Sequence, residues 1–210
     1  MIGAGGHARV LQESLALVGT SLLGFIAPSA ESRLADVPWL GADDVLVDLD
    51  PDTVLLVNGI GSAGAVDRRA AVHARATAAG FSFATVIDPT AIVRAAATVH
   101  AGAQVLAGAF VGTGAVIGAN AIVNTRAVVD HDSIVGTHSH IATVAALAGE
   151  VTIGESTHVG LGAAVIQGIS VGSHCVIGAG AVVIRDVADN SLAVGVPASS
   201  TPLARRGKAG

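Results

Sequence analysis

The chain has 210 residues, 51% of them hydrophobic and 13% charged, with a formal net charge of −5, so it suits one large domain, or a small and a larger one, with a sizeable core. Without Tyr, with one Trp and four Phe, and with no basic run beyond Arg205–Arg206, it lacks the basic face and stacking aromatics of a nucleic-acid binder; its one cysteine, Cys175, excludes an internal disulfide and suits a reducing compartment. Glycines and polar residues break every stretch short of the ~20 apolar residues of a membrane span, and no signal-peptide pattern opens the chain, so a soluble, cytoplasmic protein without membrane insertion is expected.

The opening "MIGAGGHARVLQESLALVG" reads as strand, glycine loop and helix. The first strand holds only Met1 and Ile2 before its glycines, which reads as a clipped or misannotated start. The helix is expected over Arg9–Leu17, with Val10, Leu11, Leu15 and Val18 near helical spacing and Gly19 as its C-cap. Gly3, Gly5 and Ala8 satisfy G-x-G-x-x-G/A between strand and helix. Three readings of that loop stand. A dinucleotide site wants an acid about twenty residues on, where Ala27-Pro28 is found. A different phosphate-bearing ligand needs only the backbone N–H groups and the helix N-terminus. A glycine turn that merely packs helix on strand needs no ligand. "LLGFI" and "TVLLVNGIG" read as further buried strands, and "AVDRRAAVHARATAAG" as an Ala-rich helix ending at Gly80. Alternating strands and helices predict a small parallel, Rossmann-like α/β sheet.

From Ile87 onward an aliphatic residue recurs every sixth position: Val93, Val99, Val105, Val111, Ile117 and so on to Val183, without a register break. Six matches neither the helical nor the strand period. It matches a short strand and a turn repeated as one unit, which stacks into a parallel β-helix with a continuous core. The aliphatic points inward. A small residue four places later (Ala103, Ala109, Ala115) fits the corner, and Gly or Asn is expected to take positive φ in the turns. Gly112, Gly118, Gly136 and Gly154 each directly follow an aliphatic. Cys175 occupies a corner slot and reads as packing.

"VVDHDSIVGTHSH", from Val128 to His140, gathers ionisable groups in an otherwise apolar region. His131 falls two places after inward Val129 and is expected to face outward. With three hexads to a coil, as the resemblance given below implies, it stacks in a column with Thr113, Gly149, Gln167 and Arg185. Gly149 beside a histidine leaves a notch whose N–H could serve as an oxyanion donor. An imidazole near pKa 6.5, held by a carboxylate from Asp132 or Asp130, suits proton removal from an attacking amine or hydroxyl.

Taken together, "IGAGGHARV", "ATVIDPTAIV", "VNTRAVVDHDSIVGTHSHI" and "VGVPAS" resemble the bacterial nucleotide-sugar acetyltransferases of the sialic-acid and bacillosamine type. The resemblance implies a nucleotide-sugar-binding α/β domain over residues 1–84, a left-handed parallel β-helix of hexapeptide repeats over 85–198, and a tail over 199–210. It implies acetyl-CoA as cosubstrate, no metal, and a homotrimer with acetyl-CoA between neighbouring β-helices. By position, Gly5, Gly6 and His7 match the residues on the substrate phosphates and Asn124 the one near the sugar. His131 matches the catalytic base, Asp132 its orienting acid and Gly149 the oxyanion donor. His140, Gly149, Leu161 and Ala179 fall to the coenzyme. The expected activity is transfer of acetyl from acetyl-CoA to the amine of a nucleotide-linked 4-amino-4,6-dideoxyhexose, without an acyl-enzyme. Two departures stand out: Ala27-Pro28 replaces acids that hold the nucleotide base, and Ser199 replaces a basic residue at the coenzyme tail. Alternatives are O-acetylation of a sialic acid and a non-catalytic trimeric scaffold. A zinc hydratase on the same coils would want two histidines five apart, a spacing this sequence lacks from His100 onward.

Overall fold

The computed structural model describes residues 1–62 and 67–203. Ala65 and Val66, read as opening the second helix, and the tail from residue 204 lie outside the described residues.

The first third is a parallel sheet with helices on both faces. Strands β1 (Phe25–Ile26), β2 (Trp39–Gly41), β3 (Leu55–Leu56) and β4 (Ser82–Phe83) pair as β1–β2 and β3–β4. Ile2 bridges Ile26 on one side and Asn58 on the other, so the two residues of the opening strand hold the middle of the sheet. Successive side chains on these strands are buried against opposite faces of the sheet. Met1, Phe25 and Val57 face helix α1 (Gly6–Leu17), while Ile2, Ile26 and Leu56 face helix α2 (Asp67–Ala78).

Helix α1 begins three residues before the expected Arg9, because Gly5 in extended conformation caps it and Ala8 packs fully buried in the first turn. Its C-cap is Val18, and Gly19 follows at φ +73°. Gly19 N–H donates to Ala16 O and Thr20 N–H to Leu15 O, a Schellman ending that needs the left-handed residue. Strands β2 and β4 and the 3₁₀ turn Asp43–Asp48 were missed by sequence reading. Each is short and without alternation, so periodicity gives no signal there.

Helix α1 also packs against the second unit: Ala8, Leu11 and Leu15 share a core with Val86, Leu106 and Ile122. At the junction, Ser14 Oγ donates to Asp88 Oδ2 at 2.6 Å, and Asp88 Oδ1 accepts from Thr90 N–H at 2.9 Å.

From Val86 the chain winds into a three-faced prism of two-residue strands, each pairing in parallel with the strand eighteen residues on, as in Val128↔Ala146 and His140↔His158. The inward column and the small corner residues form one continuous core. Two expectations need correction. Ile87 was read as inward, yet it is 40% exposed, because the first coil has no rung beneath it. The glycines that follow the aliphatics do not carry the positive φ values. Those fall three places after each aliphatic, at Gly108, Gly114, Asn120, Arg126, Asp132, His138 and Val144. The following glycines serve close approach instead. A Cβ on Gly136 would lie 2.6 Å from Glu155 N and Gly154 C of the next coil, so only glycine lets the rungs stack at that corner. Residues 199–202, read as tail, belong to strand Ala198–Pro202, which pairs antiparallel with Ser191–Gly195. Leu192 and Ala193 already extend the sheet there, so folding back satisfies their free edge.

Candidate active site

A cleft of about 770 Å³ opens at the carboxyl ends of the N-terminal strands, where open α/β sheets place ligands. Gly3 to His7 form one wall, Ala27, Pro28, Glu31 and Arg33 a second, and Gly59 to Gly61 a third. Arg33 N–H donates to Ala4 O at 3.0 Å, and its Nη1 lies 3.8 Å from where a Cβ on Gly6 would stand, beside the N-terminus of α1. The expected phosphate residues Gly5, Gly6 and His7 therefore share one cavity with a cation that sequence reading overlooked. Ala27 and Pro28 line the same cavity and bring no carboxylate; Glu31, four residues on, does.

His7 is more than a cleft residue. Its Nε2 lies 2.7 Å from Gln104 Oε1 on the β-helix, so Nε2–H donates. Burial, the nearby Arg69 charge and this bond leave its pKa at about 4. Gln104 was not singled out from sequence. Reading outward positions in steps of eighteen along its face (Val86, Gln104, Ile122, His140, His158) marks it as a polar residue between Val86 and Ile122, in the column that carries His140 and His158.

Asn124 and His140, expected at sugar and coenzyme respectively, touch one another. Thr125 N–H donates to Asn124 Oδ1, which turns Asn124 Nδ2 toward His140 Nε2 at 2.9 Å. His140 Nδ1–H then donates to Ser62 O at 2.9 Å, with Ser62 Oγ at 2.7 Å. Burial and the neighbouring His158 hold His140 near pKa 3, as the neutral Nδ1–H tautomer.

These two buried histidines make acid stability measurable. Their folded pKa values lie below the unfolded value near 6.5, so the unfolded chain binds more protons as pH falls. Their penalty is absent above about pH 6.5 and grows as pH drops toward about 4 for His7 and about 3 for His140. At pH 5, His7 alone should cost about 2 kcal/mol. Thermal unfolding from pH 7 to 5 should show His7→Gln with a shallower loss than the parent; equal slopes would refute the assignment.

His131 and Asp132 occupy the turn between Val128–Val129 and Ile134–Val135. His131 Nδ1 lies 3.0 Å from Asp132 Oδ2, so Nδ1–H donates and Nε2 keeps its lone pair. Asp130 Oδ1 accepts the His131 backbone N–H at 2.7 Å, leaving Asp132 as the ring's partner. The Asp132 hydrogen bond leads in raising the His131 pKa, with Asp130 and Glu150 adding to it. A Cβ built on Gly149 would collide with the His131 ring at Nε2 and Cε1, and one on Gly114 would collide with Asp132 Oδ1. Two glycines one coil away on either side thus make the room in which this pair sits. Gly114 escaped sequence reading; the eighteen-residue step applied to Asp132 finds it. No hydrogen bond among the described residues uses the Gly149 N–H.

Leu161 and Ala179 stack in a different corner column, between His158–Val159 and Ala164–Val165, and both are exposed. Within one chain, a whole prism face separates them from His131 and Gly149. No β-helix residue lines the nucleotide-sized cleft. The predicted site residues therefore fall into four places in one protomer: the cleft, the Asn124–His140 pair, the His131 corner and the Leu161–Ala179 corner. Cys175 is buried, burial raises its thiol pKa, and its Sγ donates to Ala188 O. No three His, Cys, Asp or Glu among the described residues are grouped as metal ligands, and no described helix is long and apolar enough to cross a membrane.

Residues 1–73 match the PglD N-terminal domain, and residues 150–185 match the hexapeptide repeat of succinyl-transferase. No match was found among curated proteins. PerB from Caulobacter crescentus, crystallised with CoA and GDP-perosamine, is 37% identical over 95% of this chain and 95% of that one, with a TM-score of 0.89. The acetyltransferase domain of PglB from Neisseria gonorrhoeae FA1090, in complex with acetyl coenzyme A, is 34% identical over 95% and 97%, also at 0.89. WeeI from Acinetobacter baumannii AYE, at 18% identity and a TM-score of 0.61 over 95% and 97%, shares the fold.

Proposed function

The chain belongs to the bacterial hexapeptide-repeat sugar acetyltransferases, and on that premise we propose that it moves an acetyl group from acetyl-CoA to the amine of a nucleotide-linked 4-amino-4,6-dideoxyhexose. The observation that carries this reading is the His131 imidazole, tied by Nδ1 to Asp132 and holding Nε2 over Gly149.

The nucleotide sits in the cleft of Gly5, Gly6 and His7, and Asn124 meets the sugar. His131 Nε2 takes a proton from the sugar amine as its nitrogen attacks the thioester carbonyl. Asp132 stabilises the imidazolium that forms. The Gly149 N–H faces the developing oxyanion. Collapse expels the coenzyme A thiolate, which takes up the proton held by His131; the thioester is already activated, so no acyl-enzyme is needed. The coenzyme lies along Gly149, Leu161, Ala179 and the His140 region. No metal takes part.

The two separated corner columns can both serve one coenzyme only if they come from different chains. The prism face between them carries Ile92, Phe110, Val128, Ala146, Ala164 and Val182 outward, an apolar strip that supports burial against a second copy. We therefore take the working unit to be a cytoplasmic homotrimer with the coenzyme between neighbouring prisms.

One preparation tests both points. Light scattering at micromolar concentration should give a trimer. Thiol release from acetyl-CoA should be fast with GDP- or UDP-linked 4-amino-4,6-dideoxyhexoses and absent with sialic acid. Turnover of sialic acid alone would replace the N-acetyl reading with O-acetylation, and no thiol release with any acceptor would leave a scaffold.

A further inference from the structure

Arg68 and Arg69 are neighbours on α2 with opposite surroundings. Arg68 is exposed and lines the cleft; Arg69 has no exposed surface. Arg69 Nη1 donates to Asn58 O and Ile60 O, both at 2.8 Å, and its Nε to Asn120 O at 3.2 Å. Its Nη2 has no partner among the described residues. Among the residues whose side chains are described, no carboxylate lies within 4.0 Å of it.

Burial lowers the Arg69 pKa to about 9, which still leaves it charged at neutral pH. The histidines that feel its charge, His7, His73, His138 and His140, all have lowered pKa values, so none compensates it or adds to it. A buried cation held only by carbonyl dipoles is an expensive way to join two domains; apolar packing or a carboxylate partner would do that better. Arg69 is expensive in one particular place. Ile60, whose carbonyl it holds, and the flanking Gly59 and Gly61 form a wall of the cleft, facing the glycine loop of α1.

We infer that Arg69 is the buried counter-charge for the diphosphate of the nucleotide-linked substrate, acting through the cleft wall by its field and not by contact. The inference rests on the nucleotide-sugar reading above. Behind a low-dielectric wall the charge is poorly screened, and no described carboxylate offsets it before an anion enters. Arg33 and Arg68 face solvent, where salt weakens them. The three carbonyls aim the guanidinium, so it keeps its place whether or not the cleft is filled.

Calorimetry on the full chain tests this with GDP, UDP and acetyl-CoA. The parent should bind at least one of the two nucleotides. Arg69→Lys, which keeps the charge, should bind that nucleotide within about threefold of the parent, and Arg69→Gln about tenfold more weakly or worse. Acetyl-CoA affinity should be unchanged in both, a control that general loosening of the fold would fail. Undiminished nucleotide binding by Arg69→Gln overturns the inference; so does an equal loss in Arg69→Lys, which would mark geometry and not charge. A parent that binds neither nucleotide sinks the nucleotide-sugar reading itself. If the Arg69 variants do not fold, the exposed pair decides: Arg33→Gln with Arg68→Gln should retain nucleotide binding with a flatter salt dependence, and complete loss of binding would refute the role of Arg69.

Discussion

Replacing His131 with Ala should lower kcat by about two to four powers of ten, the range expected for loss of a general base. The KM values for acetyl-CoA and for the nucleotide sugar should change little, because the imidazole acts on the amine proton and not on the nucleotide. The side chain is 47% exposed, and its ring contributes nothing to the core, so the variant should fold and melt like the parent. Its pH behaviour has a definite sign. The base must be unprotonated, and Asp132 raises its pKa above the ordinary histidine value, so the rate should rise with pH through a limb above about 6.5. Asp132→Asn removes the hydrogen-bonded charge and should move that limb to lower pH while reducing kcat. Steady-state kinetics from pH 5.5 to 9 check both statements. Full activity in His131→Ala, or a limb that stays put in Asp132→Asn, would remove the base assignment.

Gly149→Ala should be almost as damaging despite adding one methyl group. The new Cβ lands on Nε2 and Cε1 of His131, so the ring must leave its position and with it the Asp132 bond. Because the ring borders solvent, it can swing outward without disturbing the coil, and stability should change by no more than about 1 kcal/mol. Catalysis should suffer by about a hundredfold or more, since displacing a reacting group by ~1 Å costs that much. Thermal unfolding and kcat measured on the same sample separate the two effects. A Gly149→Ala protein with parental kcat would show that the ring works elsewhere. Gly114 stands in the same relation to Asp132, on the other side of the pair.

Much of this was readable before any fold was known. The six-residue aliphatic recurrence admits few architectures, because a side-chain period is a geometric property that local chemistry alone enforces. The eighteen-residue column arithmetic placed Gly149 next to His131, since rungs that pair in register preserve the step. The role of the glycines was half legible. Composition marks them, but whether a glycine serves positive φ, close approach or both depends on where the neighbouring coils lie: Gly136 serves close approach alone and Gly114 serves both.

The amino-acid order by itself determined the stacked hexads, their inward columns and the opening strand–loop–helix unit, because each depends on spacing along one chain. Spacing left Asp130 and Asp132 open as partners of His131, and the structure decided between them, since Asp130 takes the His131 backbone N–H and Asp132 the ring. Only the tertiary structure decided that His7 leans on Gln104, that Asn124 and His140 form one hydrogen-bonded pair under Ser62, and that Arg69 lies buried behind the cleft wall. Those contacts join residues tens of positions apart across two separately folded units, and the pKa values of the histidines follow from burial that no sequence period encodes.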